Sequence, residues 1–307
     1  MIRNWSSSML PWLASALVLC GLAAQPARAD THALILWVGD YPQPGAKLRG
    51  VDVDARLARE MAVSLGARAE TTLELSDAGL TFDALMKAWQ DLQARVRPGD
   101  RVFIYFSGHG KRLARAAAPG CREGLVTADE KLYLDALLQP QLESLARKAA
   151  QVIMFNDSCF SGGAATKQLL MPGDDDIQAK SHPGETGLPR WGSAAAQAAA
   201  DACEVPSNRP VIKAPPTLLA QGSDSRLLYL AASAEHEVAW STSRGSLATR
   251  AWHQCLRSPE TDLNGDGFIS GDELASCATP RARRNAFRQT VTVRYNASLP
   301  LARAPSR

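Results

Sequence analysis

The chain lacks several features that would assign it at sight. It has no charge excess: 34 Lys and Arg stand against 31 Asp and Glu, a formal +3. No electrostatic case for a nucleic-acid partner follows from that balance. It has no internal repeat, which sets aside solenoids and propellers. It has no apolar run of the roughly 20 residues a membrane span needs. The nearest approach is 9–24, preceded by Arg3 and followed by the small-x-small signal Ala27-Arg28-Ala29. Residues 1–29 are therefore read as a cleaved signal peptide, with no stable membrane anchor afterwards. Cys20 does not make it a lipoprotein signal, because the bulky Leu19 precedes it. An exported chain, periplasmic or secreted, is the expectation.

Cysteine is scarce too, with six in 307 residues. Past the signal stand Cys121, Cys159, Cys203, Cys255 and Cys277. Disulfides persist outside the cytosol, and an odd count leaves one thiol over. Cys255 and Cys277 bracket one compact segment and are the natural pair. Cys121 with Cys203 follows only by elimination, and the connectivity stays open. Cys159 is then the unpaired thiol.

What is present is an alternation of strands and helices. Apolar runs at 33–39, 71–75, 101–107, 152–155 and 227–233 read as strands, most of them buried on both faces. Helical spacing marks 52–67, 81–96 (with Thr81 as N-cap), 132–150 and 245–256. Residues 111–131 read as loop with a short strand, and Pro140 interrupts or starts the third helix. Alternation at 289–296 suits an antiparallel edge strand. The expected class is α/β, a mostly parallel sheet of about six strands flanked by helices. One domain spans 30–300. Residues 171–216, polar and rich in Gly, Pro and Ala, read as a long, partly disordered insertion without a core of its own.

Two strands end in chemistry. One runs into Ser107-Gly108-His109-Gly110, the other into Asp157-Ser158-Cys159. Ligands of open α/β sheets bind at the carboxyl ends of strands. A thiol there with an imidazole beside it is a nucleophile with its base. The N–H groups of Gly110 and Cys159 are candidates for receiving an oxyanion. Asp157, two residues before the cysteine, would favour a cationic group in the site. Taken singly, Cys159 and His109 would more often be structural. Two such strand tips together favour catalysis.

These two motifs, in this order and spacing, resemble the caspase-like cysteine peptidases and among them the metacaspases. Leu48–Ala55 and Tyr229–Trp240 are similar to flanking segments of that family. The resemblance implies a caspase-like (caspase–hemoglobinase) fold and a His109–Cys159 dyad acting through an acyl-enzyme. It implies peptide or protein substrates cut after Arg or Lys, with Asp54, Ser107 and Asp157 lining the pocket. Phe160 and Val51 depart from the family pattern, and its calcium site near the core is not carried over. The insertion offers Lys180, Arg190, Arg209 and Lys213 as places for self-cleavage. A non-catalytic calcium-dependent binding module and a peptide ligase are the competing readings.

A second motif stands apart. Residues 262–273 place Asp262, Asn264, Asp266, Phe268, Ser270 and Glu273 at positions one, three, five, seven, nine and twelve of a calcium loop. Gly267 stands at its sharp turn, and 256–278 is read as an EF-hand-like segment. Calcium is expected there in a structural or regulatory role.

Overall fold

Every residue of the seven-residue strand β7 (Gln151–Asp157) is buried, and so are six of the seven in β3 (Arg101–Ser107). Such strands belong at the centre of a sheet covered on both sides. The computed structural model describes residues 1, 29–112, 123–159, 176–183, 226–234, 237–283, 287 and 289–306. The signal-peptide reading, Cys121, Cys203 and most of the insertion lie outside them.

The central sheet is completed by β1 (Thr31–Trp37), β2 (Ala67–Ser76), β9 (Leu227–Ala231) and β12 (Thr292–Tyr295). Its order is β12-β9-β7-β3-β1-β2. Five strands are parallel, and β12 pairs antiparallel with β9 at the edge. Alternate side chains of β3 divide between two cores. Val102, Ile104 and Phe106 meet helices α2 (Phe82–Arg95) and α3 (Asp135–Lys148). Phe103 and Tyr105 meet α1 (Val51–Ser64), α4 (Leu247–Leu256) and α5 (Gly271–Arg281). Thr81 caps α2 by accepting the Ala84 N–H at 3.2 Å.

Three departures from the sequence reading have physical causes. Leu132–Leu134 is not helix but a short strand, β6, third in a small sheet with β4 (Gly110–Arg112) and β5 (Glu123–Val126). A three-residue apolar run cannot be told from helix by periodicity. Pro140 neither starts nor breaks α3. Buried Leu138, Leu142 and Leu145 hold the helix through the hydrogen bond its ring removes. The insertion is not wholly without packing. Residues 176–183 are docked on the domain, with the pair β8 (Gln178–Ala179) and β10 (Trp240–Ser241) antiparallel. A further strand, β13 (Pro300–Arg303), pairs with β11 (Phe268–Ser270). A disulfide joins Cys255 of α4 to Cys277 of α5. Among the described residues, Cys159 is the free thiol.

One buried acid gives the fold a pH dependence. Asp135 opens α3, is 2% exposed, and neither carboxylate oxygen has a hydrogen bond. Burial pushes its pKa up to about 7, against the pull of Arg294 and Arg112. The folded value lies above the unfolded one. The stability it contributes is therefore full below the ordinary carboxylate range and lost as pH rises through 7. Asp135→Asn should exceed the parent in stability by about 3 kcal/mol at pH 8 and differ little at pH 4. Thermal unfolding across that range checks it.

Candidate active site

The cleft follows from strand register. Arg101 pairs with Gln151 and Ser107 with Asp157, so β3 and β7 run in step over their whole length. His109 and Cys159 each lie two residues beyond the last pair. The offset of the register and the offset between the two residues are the same, and the sheet brings the two strand tips together. Val126 N–H donates to the His109 carbonyl at 2.9 Å, which ties the histidine loop to β5.

His109 is 2% exposed. Its Nε2 lies 2.7 Å from the Ala46 carbonyl, which only accepts, so Nε2 carries the proton. Nδ1 is left as the basic nitrogen, buried and without a hydrogen bond. The His109 backbone N–H donates to the Tyr41 hydroxyl at 2.8 Å, and that hydroxyl donates to the Val126 carbonyl at 3.0 Å. The Cys159 sulfur accepts the Ala239 N–H at 3.1 Å. Burial drives the imidazole pKa down to about 3 and the thiol up to about 12. Both groups are therefore neutral at pH 7.

Asp54, Ser107 and Asp157 converge below them with no exposed surface. Asp54 sits in the first turn of α1. It accepts the Ser246 N–H at 2.7 Å and the Ser107 hydroxyl at 2.9 Å. Asp157 accepts the Thr249 hydroxyl at 2.5 Å, and Thr249 is bonded in turn to the Tyr105 hydroxyl at 2.6 Å. The first turn of α4 thus fixes both carboxylates. Burial raises the Asp54 pKa to about 6, against the pull of Lys180.

The pocket is filled by this chain's own Lys180. Its ammonium lies 3.2 Å from Asp54 Oδ2, 3.0 Å from Asp157 Oδ2 and 2.7 Å from Ser107 Oγ. Burial would lower its pKa, but the two carboxylates outweigh that and hold it above the ordinary value. The backbone is docked as well. Lys180 N–H donates to the Ala239 carbonyl at 2.9 Å. Its own carbonyl accepts from Gly110 N–H at 2.9 Å and from Cys159 N–H at 3.4 Å. With β8 laddered on β10, the segment lies as an added strand.

All six candidates read from the two motifs and the pocket therefore meet in one cleft. The sequence reading missed Tyr41, Ala46 and Ala239, whose roles depend on backbone atoms or on loops, and Thr249, whose hydroxyl reaches Asp157 only once α4 is docked. Lys180 was expected only as one of four places for self-cleavage, not as the occupant of the pocket. Arg190, Arg209 and Lys213 lie outside the described residues.

A family model described as Peptidase_C14, Caspase domain, matches residues 30–268, the stretch that holds the whole cleft. The chain belongs to the caspase-domain family. Among curated proteins it is similar to metacaspase-9 of Arabidopsis thaliana, 26% identical over 156 residues, covering 47% of this chain and 47% of that one. It is also similar to metacaspase-6 of the same plant, 28% identical over 134 residues, covering 40% and 36%. The chain thus spans less than half the length of these relatives. Among solved structures it resembles protein GSU0716 from Geobacter sulfurreducens, with TM-score 0.57 and 17% identity over 90% of this chain and 98% of that one. It also resembles caspase-1 from Spodoptera frugiperda, with TM-score 0.51 and 14% identity over 91% and 92%. The likeness establishes the caspase-like fold.

One glycine of this caspase domain bears directly on the pocket. Gly50 precedes α1 with φ of 75°. A Cβ there would lie 2.0 Å from the Thr242 carbonyl and 2.6 Å from Gly245 N, inside the turn that leads to Ser246. Gly45 has φ of 81° but open space around it. Gly50→Ala should therefore cost at least about 2 kcal/mol, and Gly45→Ala only the strain of about 1 kcal/mol. Equal losses in denaturant unfolding would show that the contact with the turn is unimportant.

Proposed function

We propose that this chain is an exported cysteine endopeptidase that cuts after Lys or Arg, and that it is made latent by its own Lys180. The observation that carries the reading is the seating of Lys180. Its ammonium is matched by two buried carboxylates, and its carbonyl is received by the N–H groups of Gly110 and Cys159. That is how a substrate residue before the cut would lie. The bond so presented is Lys180–Ser181.

The chemistry follows from the groups in place. His109 Nδ1 takes the proton of the Cys159 thiol, and the sulfur attacks the carbonyl carbon. The developing oxyanion stays on the two N–H groups. The C–N bond breaks, His109 returns the proton to the leaving amine, and a thioester remains. Water, deprotonated by His109, hydrolyses it and restores the thiol. In the filled cleft the proton transfer is strongly uphill, because burial holds both groups neutral. Admitting water would lessen both shifts together.

Cys159→Ala and His109→Ala should each lower peptide cleavage at least a thousandfold, and Lys180→Gln should remove the self-cut. Fluorogenic peptides with Arg, Lys, Asp or Asn before the bond test the preference. Mass spectrometry of the incubated chain should find a new N-terminus at Ser181. Activity surviving Cys159→Ala would end the proposal, and cleavage after Asp would overturn the basic preference. Analysis of products with an added amine separates hydrolysis from ligation.

The loop at 262–273 is proposed as a calcium site of structural role. Its donors are all oxygens in the order calcium takes them, and Gly265 and Gly267 adopt the left-handed turns, with φ of 75° and 83°. Among the described residues no three His, Cys, Asp or Glu groups are gathered as for a metal. Glu273 instead accepts the N–H groups of Leu263, Asn264 and Ser270. The oxygens of Asp262 and Asp266 and the Asn264 Oδ1 each accept one N–H and keep a second lone pair, so these residues fit the ion in type. Glu273, whose two oxygens each accept two hydrogen bonds, would give up some of these to bind it. Calcium at a hundredfold excess over Kd should stabilise the chain by about 3 kcal/mol, and Glu273→Gln should lose that response. An unchanged unfolding temperature in calcium and in chelator would reject the site. Export is supported by the Cys255–Cys277 bridge. Among the described residues no helix is long and apolar enough to cross a membrane.

A further inference from the structure

The docked segment continues past Lys180, and its second residue beyond the presented bond is also enclosed. His182 is 4% exposed. Its N–H donates to the Gly110 carbonyl at 3.2 Å, while the Gly110 N–H donates to Lys180 O at 2.9 Å. One residue of the cleft wall therefore grips the chain on both sides of the bond. The His182 ring stands edge-on to His109, with centroids 5.3 Å apart at 89°. It also stands edge-on to Tyr41, at 5.6 Å and 71°. Its Nε2 lies 3.7 Å from Glu130 Oε1.

The walls of this enclosure are fixed independently of His182. Tyr41 is held through its hydroxyl between Val126 and His109. Glu130 has a left-handed backbone, φ 57°, and its Oε1 accepts the Gln43 N–H at 2.8 Å. That bond pins the carboxylate to the loop that also carries Tyr41 and Ala46. The space thus has two aromatic sides and one anchored carboxylate. A flat ring the size of imidazole fits between the rings and turns an N–H toward the acid. An aliphatic side chain would fill the volume and leave Glu130 facing carbon. A lysine would have to order a long flexible stem in a short space.

We propose that Tyr41, His109 and Glu130 form a subsite for a histidine two residues after the cut. The preferred sequence across the bond is then a basic residue, any residue, and histidine. This rests on reading the cleft as a peptidase site, and it adds a determinant on the leaving side that the pocket for Lys180 does not supply. It also explains how the segment's leaving side is held in the cleft.

Two measurements test it. The first uses the full chain, incubated until its activity is constant, and quenched peptides that differ only in carrying His, Ala or Leu at the second position after a lysine. The His peptide should show kcat/KM about tenfold above the Ala peptide, and in Glu130→Gln that ratio should fall at least threefold. A ratio near one in the parent, or one unchanged in Glu130→Gln, overturns the subsite. The second needs no activity. In the full-length Cys159→Ala chain, where Lys180 stays uncut, His182→Ala should speed trypsin cleavage at Lys180 several-fold. An equal rate with and without the His182 ring overturns the proposal. If no peptide is cut after lysine at all, the peptidase reading fails, and the trypsin comparison still decides whether His182 is held.

Discussion

The ammonium of Lys180 has no exposed surface and lies within 3.2 Å of both Asp54 and Asp157. Two carboxylates enclosed together repel each other, and neither has water to solvate it. A cation between them relieves both problems at once. The arrangement around them serves that end. Ser246 N–H donates to Asp54 Oδ1, while Ser107 and Thr249 donate to the same Oδ2 atoms of Asp54 and Asp157 that the ammonium contacts. A neutral or acidic side chain in the same place would leave the carboxylates opposed and desolvated. The pocket itself thus calls for a cation, and the chain supplies one internally with its own lysine.

The part of this that could be read from the sequence is the part set by the parallel sheet. Strands buried on both faces appear as unbroken apolar runs, and their carboxyl ends are where ligands collect. His109, Gly110, Cys159, Ser107 and Asp157 all lie on or just past β3 and β7, so reading two strands placed five residues. Asp54 came only from the family resemblance, because a carboxylate in the first turn of α1 is favoured there whatever its role.

What escaped the reading depended on contacts without local pattern. Tyr41 and Ala46 sit in a loop rich in Pro and Gly, and they act through a hydroxyl and a carbonyl. Thr249 is an ordinary first-turn residue until α4 is docked. Residues 176–183 looked like part of a polar excursion because the segment makes its strand by pairing with β10 rather than by carrying apolar alternation. The signal was present only in a weaker form: a lysine flanked by residues able to extend, in an insertion following the cysteine. Leu132–Leu134 was mistaken for helix because three apolar residues carry no period.

The latency proposed for the dyad rests on one physical cause, and it lies outside the dyad. His109 is held far below and Cys159 far above their usual pKa ranges, and in each case burial is the largest contribution. That burial is completed by a segment which occupies the cleft through three separate attachments: the ladder of β8 on β10, the Lys180 ammonium, and the His182 ring. Each attachment alone is weak by the standard of a folded core, and their joint strength comes from being on one short strand. On the proposed reading, control over activity reduces to whatever shifts the balance between docked and undocked strand. The first turn of α4 is the element best placed for that, since Ser246 and Thr249 orient both carboxylates. The disulfide fastens α4 to α5, and α5 begins within the loop that Glu273 closes. A change in the 262–273 loop therefore has a continuous, covalently tied route to the pocket, without any direct contact between loop and thiol.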